Sequence, residues 1–259
     1  MKQEPGLAMR RLNFDVLTLF PGMLEAPLNT SILKRGREKG LLNVTIRDIR
    51  NFTEDRHKTT DDSPYGGGAG MVLKPEPIFK AFEAMKTDYP GELFLTVLLS
   101  PQGSILNQRR AEQFSEEKRR IVLLCGHYEA VDERVIDALV DEELSIGDYV
   151  LTGGELPALV VIEAIVRLLP GTLGSADSAV QESFTDGLVD WPHYTRPASL
   201  DGHAVPEVLA SGDHAAIRRW RLQQALGRTW LRRPELLERR GMNREERALL
   251  EEFKCARGE

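Results

Sequence analysis

Two uninterrupted apolar segments, residues 93–100 (LFLTVLLS) and 121–125 (IVLLC), constrain the fold more than any other feature of the sequence. Neither segment alternates polar with apolar side chains, which is typical of strands covered on both faces of a mostly parallel sheet. The other predicted elements alternate along the chain: strands at 13–20 and 42–49, and helices at 23–39, 75–86, 107–118 and 131–140. This order predicts an α/β domain.

Glycine-containing turns follow three of the predicted strands. One turn follows Ser100, a second follows Cys125, and the third is the pair Gly153–Gly154, between a strand predicted at 145–151 and a helix predicted at 155–169. Glycine lets a backbone approach a ligand closely, and a helix start offers unpaired N–H groups. Because parallel sheets bind ligands beyond the carboxyl ends of their strands, the turns predict one pocket lined with backbone groups. Plain strand-to-helix turns are the alternative.

Charge is distributed unevenly along the chain. The whole sequence carries a net charge of −6, yet residues 194–259 hold thirteen Lys and Arg against ten Asp and Glu, a net of +3 that leaves −9 for the rest. Eight of these cations are arginines between residues 214 and 240, and the guanidinium fork suits phosphate and base-plane contacts. The C-terminal part is therefore predicted to bind a polyanion, with a solvated helical surface as the alternative.

Several other chemistries are excluded. No Walker lysine loop is present, and the run at 66–70 (GGGAG) lacks the spacing of a dinucleotide-binding GxGxxG motif. No HExxH or paired CxxC motif points to zinc, and no metal ligands are predicted. Two distant cysteines, Cys125 and Cys255, and the lack of an apolar run long enough for a membrane span predict a cytoplasmic protein with no membrane partner. The five histidines are interpreted as surface or packing residues.

A series of ordered motifs between residues 14 and about 254 resembles the bacterial tRNA (guanine-N1)-methyltransferases of the TrmD type, in the SPOUT superfamily. The motifs are DRH at 55–57, PYGGGAGM at 64–71, LSPQG at 99–103, CGHYE at 125–129, DER at 132–134, SIGDYVLTGGELP at 145–157, PHYTRP at 192–197, RRWR at 218–221 and LRRP at 231–234. So many motifs in one order make the resemblance specific.

The resemblance implies a fold and its partners. The fold would be an α/β domain with a SPOUT-type parallel sheet and a C-terminal deep trefoil knot, followed by a small, mainly helical domain. The expected domains are a loose extension over 1–12, the knotted cofactor-binding domain over 13–173, a flexible linker over 174–190 and a tRNA-binding domain over 191–259. The cofactor would be S-adenosyl-L-methionine, with S-adenosyl-L-homocysteine as product and magnesium as a suggested second requirement. The partners would be tRNA and a second copy of the chain, in a homodimer with the active site at the subunit interface.

The implied reaction is methylation of N1 of the guanosine immediately 3′ of the anticodon (nucleotide 37) in tRNA, which gives 1-methylguanosine and supports reading-frame maintenance. Guanine N1 carries a proton, so a general base is required. Family members place an aspartate for this role before Ser-Phe, and here Glu182 stands at that position, with Asp186 as a nearby rival. Arg167 would offset negative charge at guanine O6. Ala130 replaces a common family glycine, and we expect no harm unless its φ is positive.

The remaining site residues are carried over by motif position. The implied cofactor-binding residues are Leu99, Ser100, Pro101, Gln102, Gly126, Tyr128, Glu129, Ser145, Ile146, Gly147, Asp148, Tyr149, Val150, Leu151, Gly153, Gly154 and Pro157. The implied RNA-binding residues are Asp55, Arg56, His57, Tyr65, His193, Arg196, Arg218, Arg219, Arg221, Arg228, Arg232 and Arg233.

Two alternatives stay open. The first is a SPOUT methyltransferase that acts on another RNA, such as a ribose methylase, although the linker Glu182 and the motifs from 194 to 233 count against it. The second is a non-catalytic RNA-binding protein of the same fold, supported only by the glutamate at the position of the family aspartate.

Overall fold

The structure, a computed structural model, describes residues 11–173, 183–184 and 186–258. Contacts divide it into two compact units that meet in sequence at residues 174 and 175. The elements of the first unit are β1 (Leu12–Thr18), α1 (Gly22–Leu28), α2 (Ser31–Glu38), β2 (Leu42–Asp48), a 3₁₀ turn (Ile49–Phe52), β3 (Asp61–Asp62), β4 (Val72–Leu73), α3 (Pro75–Asp88), β5 (Phe94–Ile105), α4 (Gln108–Ser115), β6 (Arg120–Cys125), β7 (Ala130–Val131), α5 (Glu133–Leu139), β8 (Glu142–Ser145) and α6 (Glu155–Val166).

A five-stranded sheet in the order β2-β1-β6-β5-β8 forms the centre of the first unit, and every neighbouring pair in it is parallel. Successive side chains of a strand point to opposite faces. Thus Ile121 and Leu123 of β6 enter one apolar cluster, with α1, α2, α4 and α6, while Val122 and Leu124 enter the other, with α3 and α5. The parallel α/β prediction from the unbroken apolar runs is confirmed.

Strand β5 runs further than the predicted segment 93–100, because its end pairs a second time with β8. Leu144 pairs with Leu99 and again with Ser104, so the register shifts between the two. A Cβ at Gly103 would overlap the backbone of Glu143. Gly103 is therefore a point within β5 where its backbone approaches that of β8 closely, rather than the turn that the sequence predicted.

The strand predicted at 145–151 was wrong over most of its length, because β8 ends at Ser145. The Ser145 hydroxyl accepts a hydrogen bond from the N–H of Gly147 at 3.2 Å and contacts the Gly147 carbonyl at 3.1 Å, which turns the chain out of the sheet. Gly147 has φ 152°, a conformation that other residues rarely adopt. Residues 146–154 consequently form an irregular loop that leads into α6.

The second unit is mainly helical. Its elements are β9 (Ser199–Leu200), β10 (His203–Ala204), α7 (Glu207–Ala210), α8 (His214–Arg232), α9 (Pro234–Arg240) and α10 (Arg244–Arg257). Asp213 caps α8, since its side chain accepts hydrogen bonds from the N–H groups of Ala215 and Ala216. The helix ends at Arg232, and Pro234 begins α9.

The core of this unit is small, and it forms around Leu226 of α8, Leu237 of α9 and the pair Leu249–Leu250 of α10. An Asn243–Glu246 capping box begins α10. Within the described ranges of both units, no helix combines the length and apolar character needed to cross a membrane.

Candidate active site

One cavity of about 230 Å³ lies beyond the carboxyl ends of β6 and β8 and beside residues 98–102 of β5, where the three glycine-containing segments meet. The prediction that these three segments line one pocket is confirmed. Fifteen of the seventeen predicted cofactor-binding residues line it: Leu99, Ser100, Pro101, Gln102, Gly126, Tyr128, Glu129, Ser145, Ile146, Gly147, Tyr149, Val150, Leu151, Gly153 and Pro157. Asp148 and Gly154 do not line the cavity.

Gly154 serves packing instead. A Cβ on this residue would lie 2.6 Å from the Cα of Cys125, and its N–H donates to the carbonyl of Gly126 at 2.9 Å. The start of α6 can therefore press directly against the end of β6. Residue 154 shapes the cavity from behind without reaching its surface.

The charge of the pocket wall is acidic. Glu129, Glu133 and Glu143 line the cavity, and no Lys or Arg is among its described lining residues. Apolar side chains, including Leu98, Val131 and Ile136, complete the wall. Such a wall favours a ligand with positive charge and an apolar or aromatic part, and it offers no cation to a phosphate group.

Tyr128 holds the one strained backbone among the described non-glycine residues of the wall, with φ 59°. A left-handed conformation costs a non-glycine residue on the order of 1–2 kcal/mol, and such residues concentrate at functional sites. Ala130, by contrast, lies in β7 and pairs with Val72 in extended backbone. The expectation that alanine is harmless at 130 is confirmed.

A polar group lies behind the wall at the start of α6. The carboxylate of Glu155 is 1% exposed, and its Oε1 accepts a hydrogen bond from Thr18 Oγ1 at 2.6 Å. Its Oε2 lies 3.9 Å from His127 Nδ1. The thiol of Cys125 is buried nearby, and burial, together with the Glu155 charge, raises its pKa well above the ordinary value. Cys125 therefore stays a neutral thiol.

Of the two predicted catalytic residues, the structure describes only Arg167. Glu182 lies outside the described residues. Arg167 follows the last residue of α6, and the pocket is at the first turn of the same helix. The twelve helical residues between them span roughly 18 Å at 1.5 Å per residue. Arg167 does not line the cavity of its own chain. The rival Asp186 is exposed, and its carbonyl accepts a hydrogen bond from Arg240.

The loop at 53–60 contains three of the predicted RNA-binding residues. Asp55 uses its carboxylate within the loop, accepting hydrogen bonds from the N–H groups of His57 at 2.9 Å and Thr59 at 3.0 Å. Desolvation raises the pKa of Asp55, but these bonds outweigh it and lower the pKa below its ordinary value. Arg56 and His57 are exposed, and so is Tyr65, further along the chain. Asp55 thus shapes the loop, and the other three are available to a partner.

Arginines of the second unit form a basic face on α8. The positions 218, 221, 228 and 232 are three, seven and four residues apart, a spacing that places their side chains on one side of a helix. No salt bridge within residues 186–258 joins Arg218, Arg228 or Arg232 to a carboxylate. Arg219 and Arg233, in contrast, pair with Glu252 and Glu235.

An aromatic residue extends this basic face. The Trp191 ring lies 5.1 Å from the Arg221 guanidinium and 5.6 Å from the His193 ring. His193 contacts Asp190 at 2.7 Å, and Arg196 is exposed three residues later. The predicted residues of the second unit therefore include a cation–aromatic group of the kind that can stack on a base.

Sequence reasoning missed several residues of the pocket. They are Leu98, His127, Ala130, Val131, Glu133, Ile136, Glu143, Leu144 and Thr152. The signal for His127 was its place between Gly126 and Tyr128, both of which had been predicted. No group of three or more His, Cys, Asp or Glu side chains within the described ranges is arranged to hold a metal ion.

Comparison with known proteins agrees with the geometry. Residues 12–239 match the profile of the family described as tRNA (Guanine-1)-methyltransferase TrmD. The tRNA (guanine-N(1)-)-methyltransferase of Carboxydothermus hydrogenoformans is 53% identical over 239 residues, 92% of each chain. The corresponding protein of Dictyoglomus turgidum is 50% identical over 94% of this chain and 97% of its own, and that of Moorella thermoacetica is 52% identical over 96% and 99%. The chain therefore belongs to the TrmD family of tRNA (guanine-1)-methyltransferases.

Proposed function

We propose that this chain transfers the methyl group of S-adenosylmethionine to N1 of the guanosine immediately 3′ of the anticodon in tRNA. Relatives that share about half of its residues over more than 90% of its length are tRNA (guanine-N(1)-)-methyltransferases. The observation that carries the proposal is the pocket, because residues from four of the motifs, at 99–103, 125–129, 132–134 and 145–157, line it together. We propose nucleotide 37 as the target and 1-methylguanosine as the product.

The wall of the pocket fits the proposed cofactor. S-adenosylmethionine carries a positively charged sulfonium and an ammonium group, which suit a wall with Glu129, Glu133 and Glu143 and no cation. Its adenine needs an apolar slot with backbone donors and acceptors, and Leu151 and Pro157 provide apolar surface beside the glycine turns. When bound, the cofactor supplies a methyl group on a sulfonium, an electrophile that needs alignment more than covalent help.

The side chains of this chain would supply proton transfer and charge stabilisation. Guanine N1 loses a proton as it gains the methyl group, and the carboxylate of Glu182 would accept it. Electron density moves toward guanine O6 in the same step, and the guanidinium of Arg167 would stabilise it there. Glutamate is one methylene longer than the family aspartate, so the linker backbone would stand slightly further from the base.

A homodimer with a shared active site is part of the proposal. Helix α6 is mostly apolar, and its exposed face carries Leu156, which is 50% exposed, and Val160, which is 45% exposed, in the single chain. Large apolar side chains exposed side by side on a helix are typical of an interface, and a second copy would cover this face. Tyr149 and Val150 of the pocket loop are also exposed. Because Arg167 is about 18 Å of helix away from its own pocket, we propose that it serves the partner's pocket.

The tRNA would contact the basic face of α8 and the exposed residues Arg56, His57 and Tyr65. Arginines without a carboxylate partner in residues 186–258, beside a tryptophan that can stack, suit the phosphates and unstacked bases of an anticodon loop. Magnesium is proposed as a second requirement, held with the RNA phosphates, since that ion usually keeps several waters and few protein ligands. A cytoplasmic location follows from the tRNA substrate.

The deep trefoil knot also belongs to the proposal. Its support is the second pairing of β5 with β8 and the close approach of their backbones at Gly103, which bring two of the pocket segments into one closely packed arrangement. We also propose a cofactor-binding domain over residues 13–173, a linker over 174–190 and a tRNA-binding domain over 191–259.

The deciding experiment measures methyl transfer from radiolabelled S-adenosylmethionine to an unmodified tRNA transcript with guanosines at positions 36 and 37. We expect 1-methylguanosine at position 37, identified by nucleoside mass spectrometry, and no transfer to a transcript with adenosine there. Glu182→Gln should lower the rate about 10²–10⁴-fold, and Glu182→Asp should retain it. An unchanged rate for the glutamine variant would remove Glu182 as base.

The same assay separates the alternatives. A 2′-O-methylated product would identify a ribose methylase. No transfer by the native chain to any tRNA, with binding retained, would identify a non-catalytic RNA-binding protein.

A further inference from the structure

Two buried polar atoms face each other behind the pocket, and neither has a hydrogen-bond partner among the described residues. They are Nδ1 of His127 and Oε2 of Glu155. Buried polar groups are nearly always paired, so two orphans at one place call for a physical explanation. Their separation of 3.9 Å is too long for a hydrogen bond and too short for a bridging water.

Only one oxygen of the Glu155 carboxylate has a partner among the described residues. Thr18 Oγ1 accepts a hydrogen bond from the N–H of Phe20 at 2.8 Å, so its own hydrogen is free to point to Glu155 Oε1 at 2.6 Å. Glu155 is also the first residue of α6, a position where the helix dipole favours a carboxylate. Its second oxygen, Oε2, is therefore the atom left to accept a further hydrogen bond.

The imidazole of His127 is held in place on several sides. Its ring centroid lies 4.8 Å from that of Phe20 and 5.1 Å from that of Tyr128, and its backbone pairs with that of Gly153. A Cβ on Gly153 would overlap both His127 Nδ1 and Glu155 Oε2. The backbone of Gly153 thus borders the gap, and a small shift of the pocket loops is enough to close it.

We propose that His127 is a positioning residue whose Nδ1–H donates a hydrogen bond to Glu155 Oε2 when the cofactor fills the pocket. The bond joins the turn after β6 to the start of α6, which are two of the three segments of the wall. It also anchors the neighbour of Tyr128, whose left-handed backbone needs support from its surroundings. The inference rests on the proposed cofactor site.

The protonation of Nδ1 provides a direct test in the native protein. Histidine labelled with ¹⁵N distinguishes a protonated from an unprotonated ring nitrogen by its chemical shift, and loss of the signal in His127→Asn assigns it. We expect Nδ1 of His127 to carry the proton in the complex with S-adenosylhomocysteine, and its signal to move on binding. An unprotonated Nδ1 in that complex overturns the proposal.

Matched variants test the role of the bond. Phenylalanine at 127 keeps the ring contacts with Phe20 and Tyr128 but has no donor, whereas asparagine places an amide N–H near the position of Nδ1. Calorimetry with S-adenosylhomocysteine should show affinity about tenfold lower for His127→Phe and less than about threefold lower for His127→Asn. His203→Phe, at an exposed histidine of β10, should bind as the native chain does.

The outcomes are distinguishable. Equal binding by native chain and His127→Phe overturns the positioning role and leaves the proposed function intact. Equal losses in both His127 variants, with unchanged thermal unfolding, overturn the role of the donor. A native chain that does not bind S-adenosylhomocysteine overturns the proposed function and this inference together.

Discussion

Strand β1 carries two buried polar sites only three residues apart, and they differ in how completely their hydrogen bonds are made. At Asp15, both carboxylate oxygens accept from guanidinium groups, one from Arg47 and one from Arg120. Thr18 donates a hydrogen bond to one carboxylate oxygen of Glu155, and the other oxygen has no hydrogen-bond partner among the described residues. Asp15 and Glu155 are almost equally buried, at 0% and 1% exposed, so burial alone does not explain the difference.

The complete network continues outward from Asp15. Arg120 donates to Glu92 and stacks on Tyr89 with 3.4 Å between its guanidinium carbon and the ring centroid, while Arg47 donates to Asp88. Burial acts to lower the pKa of Arg120, but its hydrogen bonds to Glu92 and Asp15 raise the pKa above the ordinary value. None of these residues lines the pocket. The complete network therefore supports the fold away from the pocket, whereas the incomplete one ends 3.9 Å from His127, which does line the pocket.

The largest effect is expected from Asp15→Asn, because it removes the fully buried carboxylate that Arg47 and Arg120 share and leaves them only the partly exposed Asp88 and Glu92. Breaking a buried ion pair in this way should lower the free energy of unfolding by about 3–5 kcal/mol. Urea denaturation measures it. Asp88→Asn is the control, since the Asp88 side chain is 51% exposed, and it should cost less than about 1 kcal/mol. Similar losses for the two variants would remove the distinction between scaffold and surface in this network.

A smaller loss is expected from Gly153→Ala, which forces a methyl group against His127 and Glu155. Overpacking of this kind should cost about 1–3 kcal/mol in the free energy of unfolding. Gly22→Ala is the matched control, because a Cβ there meets no atom within 4 Å, and it should change stability by less than about 0.5 kcal/mol. If thermal and urea unfolding of Gly153→Ala match those of the native chain, His127 and Glu155 move aside for the added methyl group without a measurable loss of stability.

The change Glu155→Gln makes the same acid-to-amide substitution as Asp15→Asn, but at the carboxylate whose Oε2 has no partner among the described residues. The amide oxygen can still accept from Thr18, and no arginine depends on the lost charge. Unfolding free energy should therefore fall by less than about 1 kcal/mol, in the same urea experiment. A loss as large as that of Asp15→Asn would show that Glu155 belongs to the scaffold.

The smallest effect is expected at a surface pair, and only in acid. A side-chain hydrogen bond from Arg119, with backbone bonds from Arg119 and Lys118, lowers the pKa of Glu117 from 4.5 to about 2. A lowered carboxyl pKa stabilises the fold above about pH 4.5 and loses that contribution as pH falls toward 2. The stability of Glu117→Gln should therefore fall less between pH 5 and pH 2 than that of the native chain.

Glu112→Gln is the control for this pH experiment, because Glu112 is exposed and makes no salt bridge among the described residues. Its pH profile should follow the native one. Parallel profiles for native chain and Glu117→Gln would show that the Glu117–Arg119 contact adds nothing to acid stability.

The sheet and the pocket could be predicted from sequence because their signals are local. Unbroken apolar runs reveal strands buried on both faces, and Gly126 follows the carboxyl end of β6, although β5 continues past Gly103. The end of β8 was misjudged because Ile146–Leu151 has strand-like composition, and only the Ser145–Gly147 turn shows that the sheet has already ended. Composition does not record such a turn.

The two polar sites on β1 could not be predicted, because their partners are distant in sequence. Thr18 and Glu155 are 137 residues apart, and Asp15 and Arg120 are 105 apart. His127 was interpreted as a packing or surface residue for the same reason, since its relation to Glu155 exists only after β1, β6 and α6 have packed together. Side-chain pairing across a fold is a tertiary property that periodicity does not carry.

The glycines of the pocket have a consequence for inhibition. Gly147 and Gly153 both line the cavity. A side chain added at Gly147 would overlap Tyr149, and one added at Gly153 would overlap His127. A competitive inhibitor that rests on these two residues would contact positions where the chain tolerates little change. Resistance by substitution at either glycine should therefore carry a loss of fitness, because the same change would disturb the wall that the cofactor is proposed to use.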